Sequence, residues 1–284
     1  MTQQYSKDKN SIYAVIQLTR PVNALITFLS VWVAAIISGG FSVTSDVLLA
    51  CLSAALIAGG ANTLNDYFDI EIDRINKPER PLPAGKISPH SALTAAIVEF
   101  GFGIGLSIFI SVPMLLLALT FSALLIWYSA HLKKTVIWGN LAVSLSTAAA
   151  FIYGGFSVRK PLEALIPALF AFFFHFGREI IKDIEDMKGD RQHHAITFPI
   201  RYGISAAIFL VWLNFLLLIL LTLLPYWKGW YGPVYMSIVL FGIYPVLGYV
   251  LVKLVREPSS DQMGKLSTLL KADMIIGLIA IFFR

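Results

Sequence analysis

Nine mostly apolar stretches, each close to the roughly 20 residues that span the hydrocarbon core of a bilayer, succeed one another along this chain. They cover approximately residues 21–39, 46–69, 91–110, 113–130, 136–156, 162–182, 202–224, 231–252 and 268–283. Little sequence is left between them. Of the 284 residues, 57% are hydrophobic and only 14% charged, a balance foreign to soluble domains. In hydrocarbon the backbone must satisfy its own hydrogen bonds, so runs of this length fold as helices. The expected fold is an all-α, polytopic membrane protein forming one domain over residues 1–284. The single cysteine, Cys51, sits inside an apolar run, which excludes an intramolecular disulfide and a multi-cysteine metal site. The segment Met1 to Ser11 is polar and carries Lys7 and Lys9. The residues after Ser11 lack the short apolar core and cleavage site of a secretory signal, so the first run reads as a retained helix.

Charge gives the orientation. Nine spans divide the loops between two sides of the membrane, and of the 22 Lys and Arg only Arg159, Lys160, Lys228 and Arg284 fall on one of them. The rule that basic residues stay inside then places the other side, with the N-terminus, in the cytoplasm of a cell-membrane protein. The net charge of +5 has no need of a nucleic-acid partner, because the cations flank spans rather than forming a run. Lys253, Arg256 and Lys265 read simply as residues facing anionic headgroups. No obligate protein partner is evident.

Ten of the 17 acidic residues lie in two short segments, Asp66 to Glu79 and Glu179 to Asp190. In the first, Asn65, Asp69 and Asp73 fall at steps of four, on one face of a continuing helix. In the second, Glu179, Asp183, Asp186 and Asp190 succeed one another at steps of four, three and four. Four spans separate the segments, so both end on the same, cytoplasmic side. Carboxylates one turn apart repel one another, more so where a helix end is partly buried, and two such stripes call for cations. Hard carboxylate and amide oxygens, completed by water and phosphate, are the usual setting of magnesium.

Beside the first stripe runs Arg74-Ile-Asn-Lys77-Pro-Glu-Arg80-Pro-Leu-Pro-Ala-Gly85-Lys86, a proline-stiffened loop projecting four cations. Metal-binding carboxylates next to Arg and Lys describe a diphosphate clamp. Lys133 and Lys134 after the fourth span, and Arg178 and Lys182 near the second stripe, extend the same field. Any one of these taken alone reads first as a snorkelling or topology-setting charge.

The pattern Asn65-Asp66-x-x-Asp69-x-x-x-Asp73, then Arg80-Pro-x-Pro-x-Gly, then Asp183-x-x-Asp186-x-x-x-Asp190 resembles the UbiA-type membrane prenyltransferase superfamily. Arg20-Pro-x-Asn23, Tyr128-Ser129 and Lys133-Lys134 carry the resemblance across the chain. It implies a helical bundle around a central cavity, capped by loops at about 70–90 and 183–201. It also implies two Mg2+ ions bridging the stripes to the diphosphate of a polyprenyl donor. The metal ligands would be Asn65, Asp69, Asp73, Asp186 and Asp190. Asp66, Asp69, Asp183 and Asp186 are the candidate catalytic carboxylates, with Asp66 and Asp183 as close supports. Arg20, Asn23, Lys77, Arg80, Lys133, Lys134, Arg178 and Lys182 are the candidate diphosphate binders. Within the superfamily the second stripe, Arg178 to Asp190, is most similar to that of the digeranylgeranylglyceryl phosphate synthases, which make the second ether bond of archaeal-type lipids. That points to a lipidic acceptor, geranylgeranylglyceryl phosphate, whose own phosphate would need a cation such as Arg20 or Lys133.

Such chemistry ionises an allylic diphosphate by neutralising its leaving group in a partly dehydrated site, and shields the cation left behind from water. Tyr67, Phe68, Trp127 and Tyr128 are candidate aromatic faces for that cation. Two alternatives remain open from the residues: an aromatic or chlorophyllide acceptor, and a secondary transporter, although transporters keep ionisable groups near the midplane and these gather at helix ends. His175 and Glu179, four apart, lack the further ligands of a zinc site. His193 and His194 read as loop residues.

Overall fold

The structure, a computed structural model, describes residues 10–41 and 44–284. Lys7 and Lys9 lie outside the described residues. The elements are α1 (Asn10–Thr19), α2 (Pro21–Gly39), α3 (Ser45–Phe68), α4 (Ile70–Asn76), α5 (Pro89–Ile108), α6 (Val112–Ala130), α7 (Trp138–Ser157), α8 (Leu165–Gln192), α9 (Phe198–Tyr202), α10 (Ile204–Trp227), α11 (Pro233–Ile238), α12 (Tyr244–Arg256) and α13 (Ser260–Phe282). A π-turn at Val239–Ile243 joins α11 and α12 into one helix. Among the described residues there is no strand.

Local chemistry sets the helix starts. Thr44, Ser88 and Ser259 each accept a hydrogen bond from the backbone N–H three residues on, at 3.3, 3.0 and 3.3 Å, satisfying a donor the helix itself leaves free. Proline opens α2, α5 and α11, where its missing N–H costs nothing. The Ser259 cap starts the last helix at Ser260, eight residues ahead of the expected 268.

Among the described residues seven helices are long and apolar enough to cross a membrane: α2, α3, α5, α6, α8 with its leading turn, α10 and the joined α11–α12. The two other long helices, α7 and α13, are less apolar for a visible reason. The first is rich in Ser, Thr, Gly and Ala, and the second carries Asp261, Lys265, Lys271 and Asp273.

The helices close into a ring in the order α2, α3, α6, α7, α8, α10, α12, α13 and back to α2, with α5 outside α3. Helices α2 and α7 also touch across it and split the interior in two. One apolar core belongs to α2, α3, α5, α6 and α7, the other to α2, α7, α8 and α10 to α13. The dividing contact is backbone on backbone: a Cβ on Gly154 would lie 2.2 Å from the Val31 carbonyl oxygen, so only glycine lets α7 approach α2 this closely. Ser53 ties three helices together, donating to the Gly103 carbonyl at 2.6 Å and pairing with the Tyr153 hydroxyl at 2.9 Å. Interhelical bonds of this kind hold membrane bundles, because lipid supplies little hydrophobic drive between helices.

Two expectations change. The segment 183–201, expected as a cap loop, is helical as far as Gln192, and the turn comes only at His193 and His194, where His194 takes a left-handed φ of 56°. The first stripe does not lie on one unbroken helix. The chain bends at Asp69, yet Asp69 N–H still donates to Asn65 O at 3.0 Å and Asp73 N–H to Asp69 O at 2.7 Å. The helical hydrogen bonds span the bend, and Asn65, Asp69 and Asp73 keep a common face.

Candidate active site

Both acidic stripes enter one small chamber of about 40 Å3, lined by Asn65, Asp73, Lys77, Arg80, Lys133, Asp183, Asp186 and Asp190 among others. Helix α4 lies against α8 and joins the two stripes. Asn76 makes the join: its amide donates to the Asp186 carbonyl at 3.0 Å and accepts from the Gly189 N–H at 3.0 Å.

Among the described residues most of the chamber's carboxylates meet a cation, while Asp183 and Asp190 are in no ion pair. Arg80 bridges Asp73 at 2.6 Å and Asp66 at 3.2 Å. Lys77 reaches Asp186 at 3.0 Å and Glu185 at 3.5 Å. Lys133 forms a close ion pair with Asp69, and Arg20 with Asp66. Arg20 stands at the joint of α1 and α2 with a left-handed φ of 51°. Such a backbone costs a non-glycine residue about 1–2 kcal/mol, which the buried pair with Asp66 helps offset. Burial pushes the Asp73 carboxyl up, Arg80 pulls it down, Asp69 and Asp66 push it up again, and the net direction is upward. Burial disfavours the Lys133 ammonium, but Asp69, Tyr128 and Asp186 together outweigh it and the group is held above its ordinary range. Arg80 is likewise raised against burial by Asp66 and Asp73.

Below the chamber lies a second cavity of about 260 Å3 between α2, α3, α6, α7 and α8. Its walls are mixed: Ala54, Ile57, Ala58 and Ala61 on α3 and Leu117 and Phe121 on α6 are apolar, while Asn23, Thr27, Asn62, Ser146 and Thr147 are polar. Arg20, Asn65, Tyr128, Glu179 and Lys182 line both spaces. The chamber and the groove therefore adjoin, a charged head beside a larger and less polar body.

The structure gathers most of the predicted residues. Arg20, Asn65, Asp73, Lys77, Arg80, Lys133, Lys182, Asp183, Asp186 and Asp190 line the chamber, and Asp66 and Asp69 are buried in ion pairs with its cations. Asn23 and Arg178 line the groove. Lys134 does not join them: its side chain is turned away from both cavities, because the short 3-10 turn Leu132–Lys134 points neighbouring lysines in different directions. Phe68 and Trp127 are also turned outward, 45% and 57% exposed, and Tyr67 packs against Phe68. Of the four aromatic candidates Tyr128 alone lines the cavities.

Two residues escaped the sequence reading. Asn76 carried no motif signal beyond its place before Lys77-Pro. Asn140 donates to Asp183 Oδ2 at 2.9 Å from the first turn of α7. Its signal was a strongly polar side chain opening an apolar run.

Among the described residues no three Asp, Glu, His or Cys side chains converge tightly enough to hold an ion by themselves. The donor set nevertheless suits magnesium. Asn65 gives its amide N–H to Asp69 at 2.8 Å, while its Oδ1 is buried with no hydrogen-bond partner. A buried carbonyl oxygen left unpaired beside a carboxylate is a ready ligand for a hard cation. Asn65, Asp69 and Asp73 from α3 and α4, with Asp186 and Asp190 from α8, are the residues that would hold it.

The chain resembles known proteins along most of its length. Residues 24–269 match the sequence model of the UbiA prenyltransferase family. The digeranylgeranylglyceryl phosphate synthase of Methanosphaera stadtmanae is 36% identical over 93% of this chain and 96% of its own. That of Methanococcus aeolicus is 38% identical over 93% and 95%. A solved digeranylgeranylglyceryl phosphate synthase structure superposes with a TM-score of 0.74 at 31% identity, covering 95% of this chain and 97% of the other. A UbiA homologue from Archaeoglobus fulgidus, bound to GPP and Mg2+, shares the fold with a TM-score of 0.68 at 18% identity, over 94% and 99% of the two chains.

Proposed function

The chain belongs to the UbiA prenyltransferase family, and from that premise we propose that it transfers a geranylgeranyl group from its diphosphate to the glycerol hydroxyl of geranylgeranylglyceryl phosphate, in ether-lipid synthesis at the cytoplasmic face of the cell membrane. One observation carries this reading: a cation- and carboxylate-lined chamber adjoins a larger, partly apolar groove through five shared residues. That is the shape of a site for an amphiphile with an anionic head. The relatives named digeranylgeranylglyceryl phosphate synthase supply the acceptor.

In this reading the nine long helices of the described residues all cross the bilayer as one membrane domain over 1–284, with α4 and the loop after it, and the end of α8, capping the cavity. The donor's diphosphate enters the chamber and its chain lies in the groove. Lys77, Arg80 and Lys133, each paired with carboxylates, turn to phosphate oxygens. The same exchange frees Asp69, Asp73 and Asp186 to bind metal. Asn65, Asp69, Asp73, Asp186 and Asp190 would hold magnesium, two ions in this reading, which would supply charge neutralisation to the departing diphosphate. Tyr128 presents an aromatic face where chamber meets groove, worth about 0.5–2 kcal/mol to an allylic cation, and the apolar walls keep water from it.

The test is an acceptor screen with labelled geranylgeranyl diphosphate and Mg2+ on detergent-solubilised protein, read by product mass. Digeranylgeranylglyceryl phosphate with release of diphosphate is expected. Product only from an aromatic acid or chlorophyllide would replace the acceptor, and solute movement with no bond formed would replace the reaction.

A further inference from the structure

The groove beside the chamber has a floor. Helices α2, α3, α6 and α7 touch in closed order around the groove's body, and α8 contributes Arg178, Glu179 and Lys182 at its head. The lining residues farthest from the chamber are Thr27 on α2, Ala54 on α3, Leu117 on α6 and Tyr153 on α7. One turn farther on, Val31, Ala50 and Met114 are fully buried in a packed core. Helices α3 and α7 stand on opposite sides of the groove, and the Tyr153 hydroxyl pairs with that of Ser53 at 2.9 Å, so this bond crosses its interior. Ser53 is held from behind by the Gly103 carbonyl of α5 at 2.6 Å. Gly154, next to the tyrosine, lies against the Val31 carbonyl of α2. Three helices thus anchor the Tyr153 ring across the bottom.

The depth above this layer can be read twice. Twelve residues separate Ser53 from Asn65 on α3, and thirteen separate Tyr153 from Asn140 on α7, where Asn65 and Asn140 both line the chamber. At about 1.5 Å of rise per residue these are roughly 18 and 20 Å. A prenyl chain of four isoprene units has sixteen main-chain carbons, and with bonds of about 1.5 Å in an extended zigzag it reaches about 19 Å. A fifth unit adds about 5 Å and enters the tyrosine layer. The polar side chains on the walls are compatible with a hydrocarbon, because their donors are spent on backbone. Thr27, Ser146 and Thr147 donate to the carbonyls of Asn23, Ala142 and Val143 at 3.0, 2.8 and 3.0 Å, and Asn62 donates to that of Thr19 at 3.2 Å.

We propose that the Tyr153 layer is a stop that limits the donor to four isoprene units, which makes Tyr153 a specificity-determining residue for donor length. The proposal rests on the reading above, in which the diphosphate sits in the chamber and the chain in the groove, and adds to it a length. A longer chain meets an anchored ring in a packed layer, where extra volume is poorly tolerated. A shorter chain leaves the bottom of the groove unfilled and forgoes contacts. Neither acidic stripe carries this selectivity.

The experiment measures kcat/KM for geranyl, geranylgeranyl and geranylfarnesyl diphosphates, of ten, twenty and twenty-five carbons, with Mg2+ and geranylgeranylglyceryl phosphate. It compares wild type with Tyr153→Ala, Tyr153→Phe and Ala58→Phe. Each result is read as a ratio between two donors on one preparation, which is independent of how much of that preparation is folded. Wild type is expected to favour the twenty-carbon over the twenty-five-carbon donor by tenfold or more. Tyr153→Ala opens the layer and brings that ratio to within about twofold of unity, whereas Tyr153→Phe retains the ring and the preference. Ala58 lies seven residues from Asn65, about halfway down the groove. Ala58→Phe therefore raises the floor and shifts preference toward the ten-carbon donor by tenfold or more. A wild-type enzyme indifferent to the fifth unit, or a ratio that Tyr153→Ala leaves unchanged, overturns the stop while leaving the transfer reaction intact. Transfer from none of the three donors overturns the function proposed above, and the stop with it.

Discussion

The backbone N–H of Gly189 donates to Oδ1 of Asn76 at 3.0 Å, across 113 positions of sequence. A Cβ on Gly189 would stand 2.6 Å from the Asn76 amide nitrogen, so the contact tolerates no larger residue. This pair fixes the spacing between the acidic stripes, which neither stripe's own helix determines.

Gly189→Ala and Asn76→Ala are therefore expected to lower kcat/KM by about 10²-fold, as small misplacements of catalytic groups do. The bundle should hold, because only one or two hydrogen bonds worth about 1 kcal/mol each are lost. Steady-state kinetics beside a thermal melt checks this. A melt that collapses while residual activity per folded molecule is normal would assign the pair to stability instead.

Asp69→Ala and Asp186→Ala should each abolish measurable turnover, a loss on the order of 10³-fold or more, with the protein still folded. Each removes one wall of the head chamber without touching the apolar cores. Full activity in either variant would remove the metal assignment for that stripe.

The two neighbouring lysines should behave differently. Lys133 pairs with Asp69 inside the chamber, and Lys134 lines neither cavity. Lys133→Met is expected to cost about 10²-fold in kcat, and Lys134→Met less than twofold. Equal losses would return Lys134 to the site.

Burial raises the Asp73 carboxyl above the ordinary aspartate range, against the pull of Arg80. A raised carboxyl takes up its proton at higher pH, and the protonated form can neither pair with Arg80 nor hold a cation. Activity should therefore fall as pH decreases, with a midpoint above the roughly 3.9 of a free aspartate. Because metal and proton compete for the same oxygens, added Mg2+ should move that midpoint to lower pH. A pH profile of kcat/KM at two magnesium concentrations reads both effects. A midpoint that rises with magnesium would contradict them.

The membrane character, the helix positions and the two stripes were legible because each leaves a local pattern: apolar length for the spans, and steps of three and four for Asn65 to Asp73 and Glu179 to Asp190. The superfamily was legible from those stripes in order. The features that stayed hidden depend on contacts between distant segments. Asn140 and Asn76 look like ordinary polar residues until α7 and α4 are packed on α8. The division of Lys133 from Lys134 turns on one 3-10 turn, and the outward rotation of Phe68 and Trp127 on which face of each helix meets the ring. The extension of α8 to Gln192 was hidden because a charged helix end and a loop have the same composition.

The central claim is that carboxylates from α3–α4 and from α8 close over a single diphosphate. The most direct test is a structure of the protein with a non-hydrolysable geranylgeranyl diphosphate analogue and Mn2+ in place of Mg2+, the metal located by its anomalous scattering. The account predicts manganese between Asn65, Asp69 and Asp73 on one side and Asp186 and Asp190 on the other, with the diphosphate against Lys77, Arg80 and Lys133. A diphosphate bound elsewhere, or touching one stripe alone with no metal between them, would contradict it.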